Sequence, residues 1–142
     1  MSSPNSPVPI YTAAGAAVPY TGLGTIASPW LTSLTLGTTY YAELGSDFCT
    51  TGVIQWVYDA SIVITSITYA STALPREALA TEGAAAGGWK TETLMTVITA
   101  AGGTAATQST PVSGVGMKRL RAVIVVGATG GSLVGYQDWK EG

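Results

Sequence analysis

The chain has 142 residues, 46% hydrophobic and only 10% charged, with six basic and eight acidic side chains, a net charge of −2, one cysteine and no histidine. Without histidine it lacks the commonest general base and metal ligand near neutral pH, and six cations are too few for a polyanion surface built on counterion release. One domain is expected at this length, with neither nucleic acid nor membrane as partner.

The longest apolar run, Ala122 to Ala128, falls far short of the ~20 residues that cross a bilayer. Met1 to Pro9 lacks the basic and apolar regions of a secretory signal. A chain this apolar and this poorly charged is expected to bury further surface against copies of itself or another protein. Cys49 stands alone, so no intrachain disulfide supports the fold, and its neighbours Phe48, Thr50 and Thr51 offer nothing to favour a thiolate.

In chain order, residues 1–29 read as a Pro/Gly-rich extended arm and loop, with Pro4, Pro7, Pro9 and Pro19 fixing φ and removing backbone donors. Such an arm is expected to stay mobile or to lie across a neighbouring subunit. Residues 30–142 read as the β domain. Leu34 and Leu36 alternate with Thr35, and Tyr40 to Leu44 is a compact aromatic strand. Gly52 to Tyr58 places Ile54, Trp56 and Tyr58 on one face and Val53, Gln55 and Val57 on the other. Ser61 to Tyr69 is β-branched but not strictly alternating, and Asp59-Ala60, having no glycine, predicts a bulged continuation of one bent strand rather than a tight turn.

Pro75 to Ala80 predicts one short helical turn, ended by Gly83, Gly87 and Gly88. Trp89 to Thr91 and Leu94 to Ala100 resume strand character, and Ala101 to Ser113 reads as a loop. Met117 to Val126 and Leu133 to Trp139 predict a hairpin whose turn draws its positive φ from Gly130-Gly131. Short strands punctuated by Gly and Pro specify an all-β protein: an antiparallel β-sandwich, jelly-roll-like, with about eight strands. An up-and-down barrel is the alternative.

The acids are scattered, without the local pattern of a glycosidase pair or a calcium loop. A Ser-His-Asp triad and His/Cys metal clusters are ruled out by composition. Gly127-Ala128-Thr129-Gly130-Gly131 follows an apolar strand, but a strand and not a helix comes next, so it reads as a turn rather than a phosphate loop. No catalytic residue, cofactor or metal site is expected, and the chain reads as a structural protein rather than an enzyme. Lys118, Arg119 and Arg121 form the one basic cluster, with Arg119 and Arg121 on one strand face, suited to acids on a neighbouring strand or subunit. Four tryptophans and seven tyrosines suit either a core or a sugar-stacking platform. Trp56 reads as core and Trp139 as an exposed or interfacial anchor.

Three segments resemble small virion proteins of tailed bacteriophages. They are Gln55 to Ala60 leading into Ile62 to Ser71, Trp89 after a glycine-rich loop, and Lys118 to Arg121 with its apolar strand, the Gly130-Gly131 turn and a last strand closing on Lys140. The resemblance implies a β-sandwich located on the virion, at the capsid surface. Its implied role is head decoration (cement), partnered by the major capsid protein or other virion proteins. The expected assembly is a homo-oligomer, for example a trimer. Pro4, Pro7, Pro9, Tyr11, Arg119, Arg121 and Trp139 are the expected interface residues. A carbohydrate-binding module and a tail or connector subunit remain as alternative readings.

Overall fold

The fold is taken from a computed structural model of the chain, which describes residues 6–45, 49–74, 79–80, 88–113 and 119–141. Among them are nine strands: β1 (Tyr11–Thr12), β2 (Thr39–Leu44), β3 (Cys49–Tyr58), β4 (Ile64–Thr72), β5 (Lys90–Thr91), β6 (Ile98–Ala100), β7 (Ala106–Ser113), β8 (Arg119–Val126) and β9 (Leu133–Glu141). They form two packed sheets with every pairing antiparallel. One sheet runs β1-β2-β8-β4-β5, with β6 also on β4, and the other runs β7-β3-β9. The protein is an all-β sandwich.

Alternation decides what each strand buries. On β3, Ile54, Trp56 and Tyr58 are buried while Val53, Gln55 and Val57 are exposed, as the period-two pattern requires. β8 turns Leu120, Ala122, Ile124 and Val126 inward, and β2 turns Tyr40, Ala42 and Leu44 inward. β4 breaks parity because its register on β8 shifts between Ile64 and Ser66. That bulge moves the buried set from Ile62 and Ile64 to Ile67 and Tyr69, which accounts for the imperfect alternation of this segment.

Asp59 and Ala60 are not a bulge within one strand. β3 and β4 belong to different sheets, and residues 59–63 form the corner between them. The Asp59 carboxylate builds the corner: Oδ1 accepts from the amides of Ser61 and Ile62 (3.1 Å each), and Oδ2 accepts from the amide of Ser132 (3.0 Å). A short acceptor side chain thus does what a glycine turn would otherwise do.

β8 and β9 are likewise not a hairpin, because they also lie in opposite sheets. Gly130 and Gly131 are absent from the residues with positive φ. Their value is closeness. A Cβ at 131 would lie 2.5 Å from Asp59 Oδ1 and 2.8 Å from the Ile62 amide, and one at 130 would lie 3.1 Å from the Leu36 amide. The segment Ala101 to Ser113 is not a loop throughout, since β7 occupies its second half. Pro111 is tolerated there because β7 is an edge strand. Leu94 to Ala100 forms a strand only from Ile98, and Leu36 lies in a turn. Of the helical turn expected at Pro75 to Ala80, residues 75–78 lie outside the described residues, and Leu79 and Ala80 lie in a turn.

The two open sides of the sandwich are closed differently from expectation. Val8 and Ile10 are in the common core, so residues 7–12 are built into this chain's own fold. The Val8 amide donates to Gly135 O on β9 (2.7 Å), and Tyr11 and Thr12 then pair with β2. The stretch therefore steps from the edge of one sheet to the edge of the other. On the far side, residues 92–99 do the same: the Glu92 amide donates to Tyr69 O on β4 (2.8 Å), and Thr96 O accepts from Thr110 Oγ1 on β7 (3.0 Å).

Candidate functional site

Between the sheets lies one buried polar chain. Trp56 Nε1 donates to the Tyr69 hydroxyl (3.0 Å), which donates to Thr110 Oγ1 (2.9 Å), which donates to Thr96 O (3.0 Å). Each hydroxyl is used once as donor and once as acceptor, so the set is satisfied and serves to fix the sheets in register. Burial pushes the Tyr69 phenol pKa up, partly offset by its bonds to Thr110 and Trp56. This chain holds the fold together and presents no reactive group.

The expected basic pair forms a distinct cluster on the outer face of the larger sheet. Arg119 and Arg121 project outward because Leu120 and Ala122 point inward. Arg121, only 3% exposed, lies 4.9 Å from the centroid of the Trp89 ring and 5.3 Å from that of Tyr41. It also donates to Leu79 O. Arg119 lies 5.2 Å from the same Trp89 ring, and its Nε meets Glu43 Oε1 at 2.6 Å on the neighbouring strand. Trp89, Tyr41 and Ala70 are buried yet lie outside the main core, so this is a second, smaller core roofed by Trp89. Both arginines are spent within the chain.

The other expected interface residues are scattered. Pro7 and Tyr11 are half-buried in the stretch 7–12 that steps between the sheet edges, and Pro9 is exposed beside them. Pro4 and Lys118 lie outside the described residues, as does the Cys49 side chain. Trp139 is not an exposed anchor: it is half-buried on the inner face, packed against the core and folded over Gly52. Its Nε1 donates to Gln137 Oε1 (2.8 Å), which also accepts from the Gly45 amide (2.8 Å). Every described tryptophan and tyrosine is buried or half-buried. An exposed aromatic row of the kind that stacks sugars is not formed among the described residues.

Residues that sequence reasoning passed over stand out instead. Leu23 and Ile26 are 76% and 103% exposed on one loop, and Leu94 and Val97 are 98% and 51% exposed on another. Both loops are tied to the fold. In the first, Thr21 and Leu31 exchange backbone hydrogen bonds (2.8 and 2.9 Å), and the amides of Leu23, Gly24 and Thr25 converge on Ser28 O at 2.9, 2.9 and 3.1 Å. Gly22 and Gly24 carry positive φ (96° and 78°) to permit that convergence. In the second, the core residues Met95 and Ile98 flank Val97, and Leu94 directly precedes Met95.

These loops share an electrostatic character. Residues 1–42 and 93–117 contain no Asp, Glu, Lys or Arg. Among the described residues, Glu43, Lys90, Glu92, Arg119, Arg121, Asp138 and Lys140 sit toward the end where β2 finishes and β8 begins. Asp59, at the opposite end, spends its carboxylate on three backbone amides. Each lateral side of the sandwich therefore carries a long uncharged stretch with exposed apolar side chains, beside Lys90 and Glu92 at the β4 edge on one side and Asp138 and Lys140 on edge strand β9 on the other. The signal was available in the sequence as two long charge-free stretches, but only the strand order places them on opposite sides.

Among the described residues no helix is long and apolar enough to cross a membrane, and no three His, Cys, Asp or Glu side chains gather as metal ligands. Compared with known proteins, the chain matches no protein-family model and no curated protein sequence.

Proposed function

We propose that the chain is a non-enzymatic structural subunit of a phage virion, a decoration protein that strengthens the head by packing against neighbouring subunits. The observation that carries this reading is the set of exposed Leu23, Ile26, Leu94 and Val97 on loops drawn from two long stretches, residues 1–42 and 93–117, that contain no Asp, Glu, Lys or Arg. Charged side chains are depleted at the centres of protein interfaces, because burying an unpaired charge costs far more than burying a methyl group. Apolar contact contributes about 25 cal/mol per Å² before the costs of association, so modest areas repeated over many copies resist an outward load.

Among the described residues, several polar groups that an enzyme could deploy are engaged in holding the fold. Asp59 caps a corner, Glu43 meets Arg119, Ser71 donates to Glu92, and Tyr69 and Thr110 link the sheets. The head assignment rests on the resemblance of Gln55 to Ala60, Trp89 and the Lys118 to Arg121 strand to virion proteins.

The test is to purify particles made by the genome that encodes this chain and to probe gradient fractions and intact particles with an antibody. Label on the outside of heads is the expected result. Label confined to tails would move the protein to a tail or connector role, and particles without the antigen would overturn the reading.

A further inference from the structure

We infer that the outer face of the smaller sheet, at the end where β3 begins and β9 finishes, binds a neutral oligosaccharide. This site goes beyond the structural role proposed above and does not rest on it.

The register of β7, β3 and β9 sets side chains abreast on this face. Pro111, Val53 and Asp138 form one row, and Ser109, Gln55 and Tyr136 form the next. They point outward because Ile54 and Trp56 of β3 point into the core. Thr51, Gly52, Val53, Asp138 and Lys140 line a cleft of about 340 Å³ at the end of these rows. Its floor is supported from within, where the Trp139 ring packs beneath Gly52.

The chemistry of the cleft selects the ligand. Asp138 and Lys140 bring opposite charges to one exposed face, yet neither takes an ion pair or hydrogen bond among the described residues. The side chains of Thr51 and Gln55 are likewise uncommitted there. Donors and acceptors thus stand side by side with opposite charges in balance. An anion would meet Asp138 and a cation would meet Lys140, whereas hydroxyl groups donate to the one and accept from the other. Bonds to a carboxylate or an ammonium are charge-assisted and stronger than those between neutral groups. Beside them Val53, 38% exposed, and exposed Pro111 offer the apolar contact that the C–H face of a sugar ring requires. Within a row, neighbouring strands lie about 4.8 Å apart, close to the length of one sugar unit. Because β7 is an edge strand, the rows are open at that end and suit a ligand of several units.

The test is binding of the full-length protein to an array of neutral, acidic and basic glycans, followed by titration calorimetry with the strongest neutral ligand. Asp138→Ala is expected to weaken binding about tenfold or more and Gln55→Ala several-fold. Lys90→Ala, an exposed change on the other sheet, should leave it unaltered. All three alter exposed side chains, and near-ultraviolet circular dichroism establishes their folding. Failure of every neutral glycan to bind at millimolar concentration overturns the inference. Binding confined to acidic or basic glycans does so too, as does binding of a free amino acid zwitterion in place of any glycan. Neutral-glycan binding that Asp138→Ala leaves intact would equally overturn it. None of these results alters where antibody labels the particles, so the proposed function stands or falls separately.

Discussion

The Trp56 indole on β3 lies directly over Gly135 on β9, its paired residue across the sheet. A Cβ at 135 would sit 2.8 Å from Cε3 of that ring and closer still to Cζ3. The same strand pair repeats the arrangement in reverse, with Trp139 of β9 over Gly52 of β3, where a Cβ would fall 2.9 Å from Cδ2. An aromatic ring covering a cross-strand glycine fills the gap left by the missing side chain and fixes the register.

Gly135→Ala is therefore expected to destabilise the fold by about 1–3 kcal/mol through overpacking. Gly45→Ala is the control, since the nearest atom to its Cβ is Gln137 Oε1 at 3.7 Å. That change should stay within about 0.5 kcal/mol of wild type. Urea unfolding of both variants measures the contrast, and equal stabilities would contradict it.

Tyr69→Phe leaves the Trp56 indole N–H without its acceptor between the sheets, at an expected cost of about 1–3 kcal/mol. Thr110→Val breaks the next link. Because the two share one hydrogen-bonded chain, the double variant should lose less than the sum of the singles. Strict additivity in a double-mutant cycle would show that the chain does not act as a unit.

Arg119 and Arg121 are two residues apart on one strand face but should differ widely in worth. Glu43→Gln removes an ion pair whose side chains are 21% and 43% exposed, so it should change stability by at most about 1 kcal/mol. Arg121→Ala removes a buried guanidinium from between Trp89 and Tyr41 and should cost about 2 kcal/mol or more. Thermal unfolding of the two variants side by side decides the matter.

Alkaline stability should be limited by buried phenols. The Tyr20 hydroxyl donates to Val8 O, and burial, with a smaller contribution from Tyr136, raises its pKa far above the ordinary value of 10.0. Burial also raises Tyr69 and Tyr136. Each phenol stays protonated in the folded chain when the unfolded chain has begun to ionise. The stabilisation is complete below pH 10 and lost progressively above it. Urea midpoints measured upward from pH 9 should be flat at first and then fall, and Tyr20→Phe should make the fall shallower. A midpoint unaffected by alkali would contradict the assignment.

Much of the fold was legible wherever one strand face is oily and the other is not. β2, β3 and β8 are read directly from Tyr40 to Leu44, Gly52 to Tyr58 and Met117 to Val126. The misreadings have specific causes. Apart from Val112, β7 is composed of Ala, Thr, Gln, Ser and Pro, a loop-like composition, and its strand state comes from pairing with β3, from the hydrogen bonds of Thr110 and from the packing of Val112. The Asp59 corner was hidden because an acceptor side chain reaching Ser132, far along the chain, leaves no local signature. Gly130 and Gly131 were read as turn formers when their role is to let two backbones approach. Val8 and Ile10, placed between prolines, gave no periodicity to mark them as core. Of the expected interface, Arg119 and Arg121 were correctly placed on one face, but Trp139 folds inward, and the apolar tips acquire meaning only from the strand order.

Sedimentation equilibrium of the intact protein, over a range of concentrations and at low and high salt, bears most directly on whether this sandwich works by uncharged contact with other subunits. The expected result is a mass of several copies that high salt does not dissociate, because screening leaves apolar burial untouched. One copy at every concentration, with no tendency to bind particles, would contradict it.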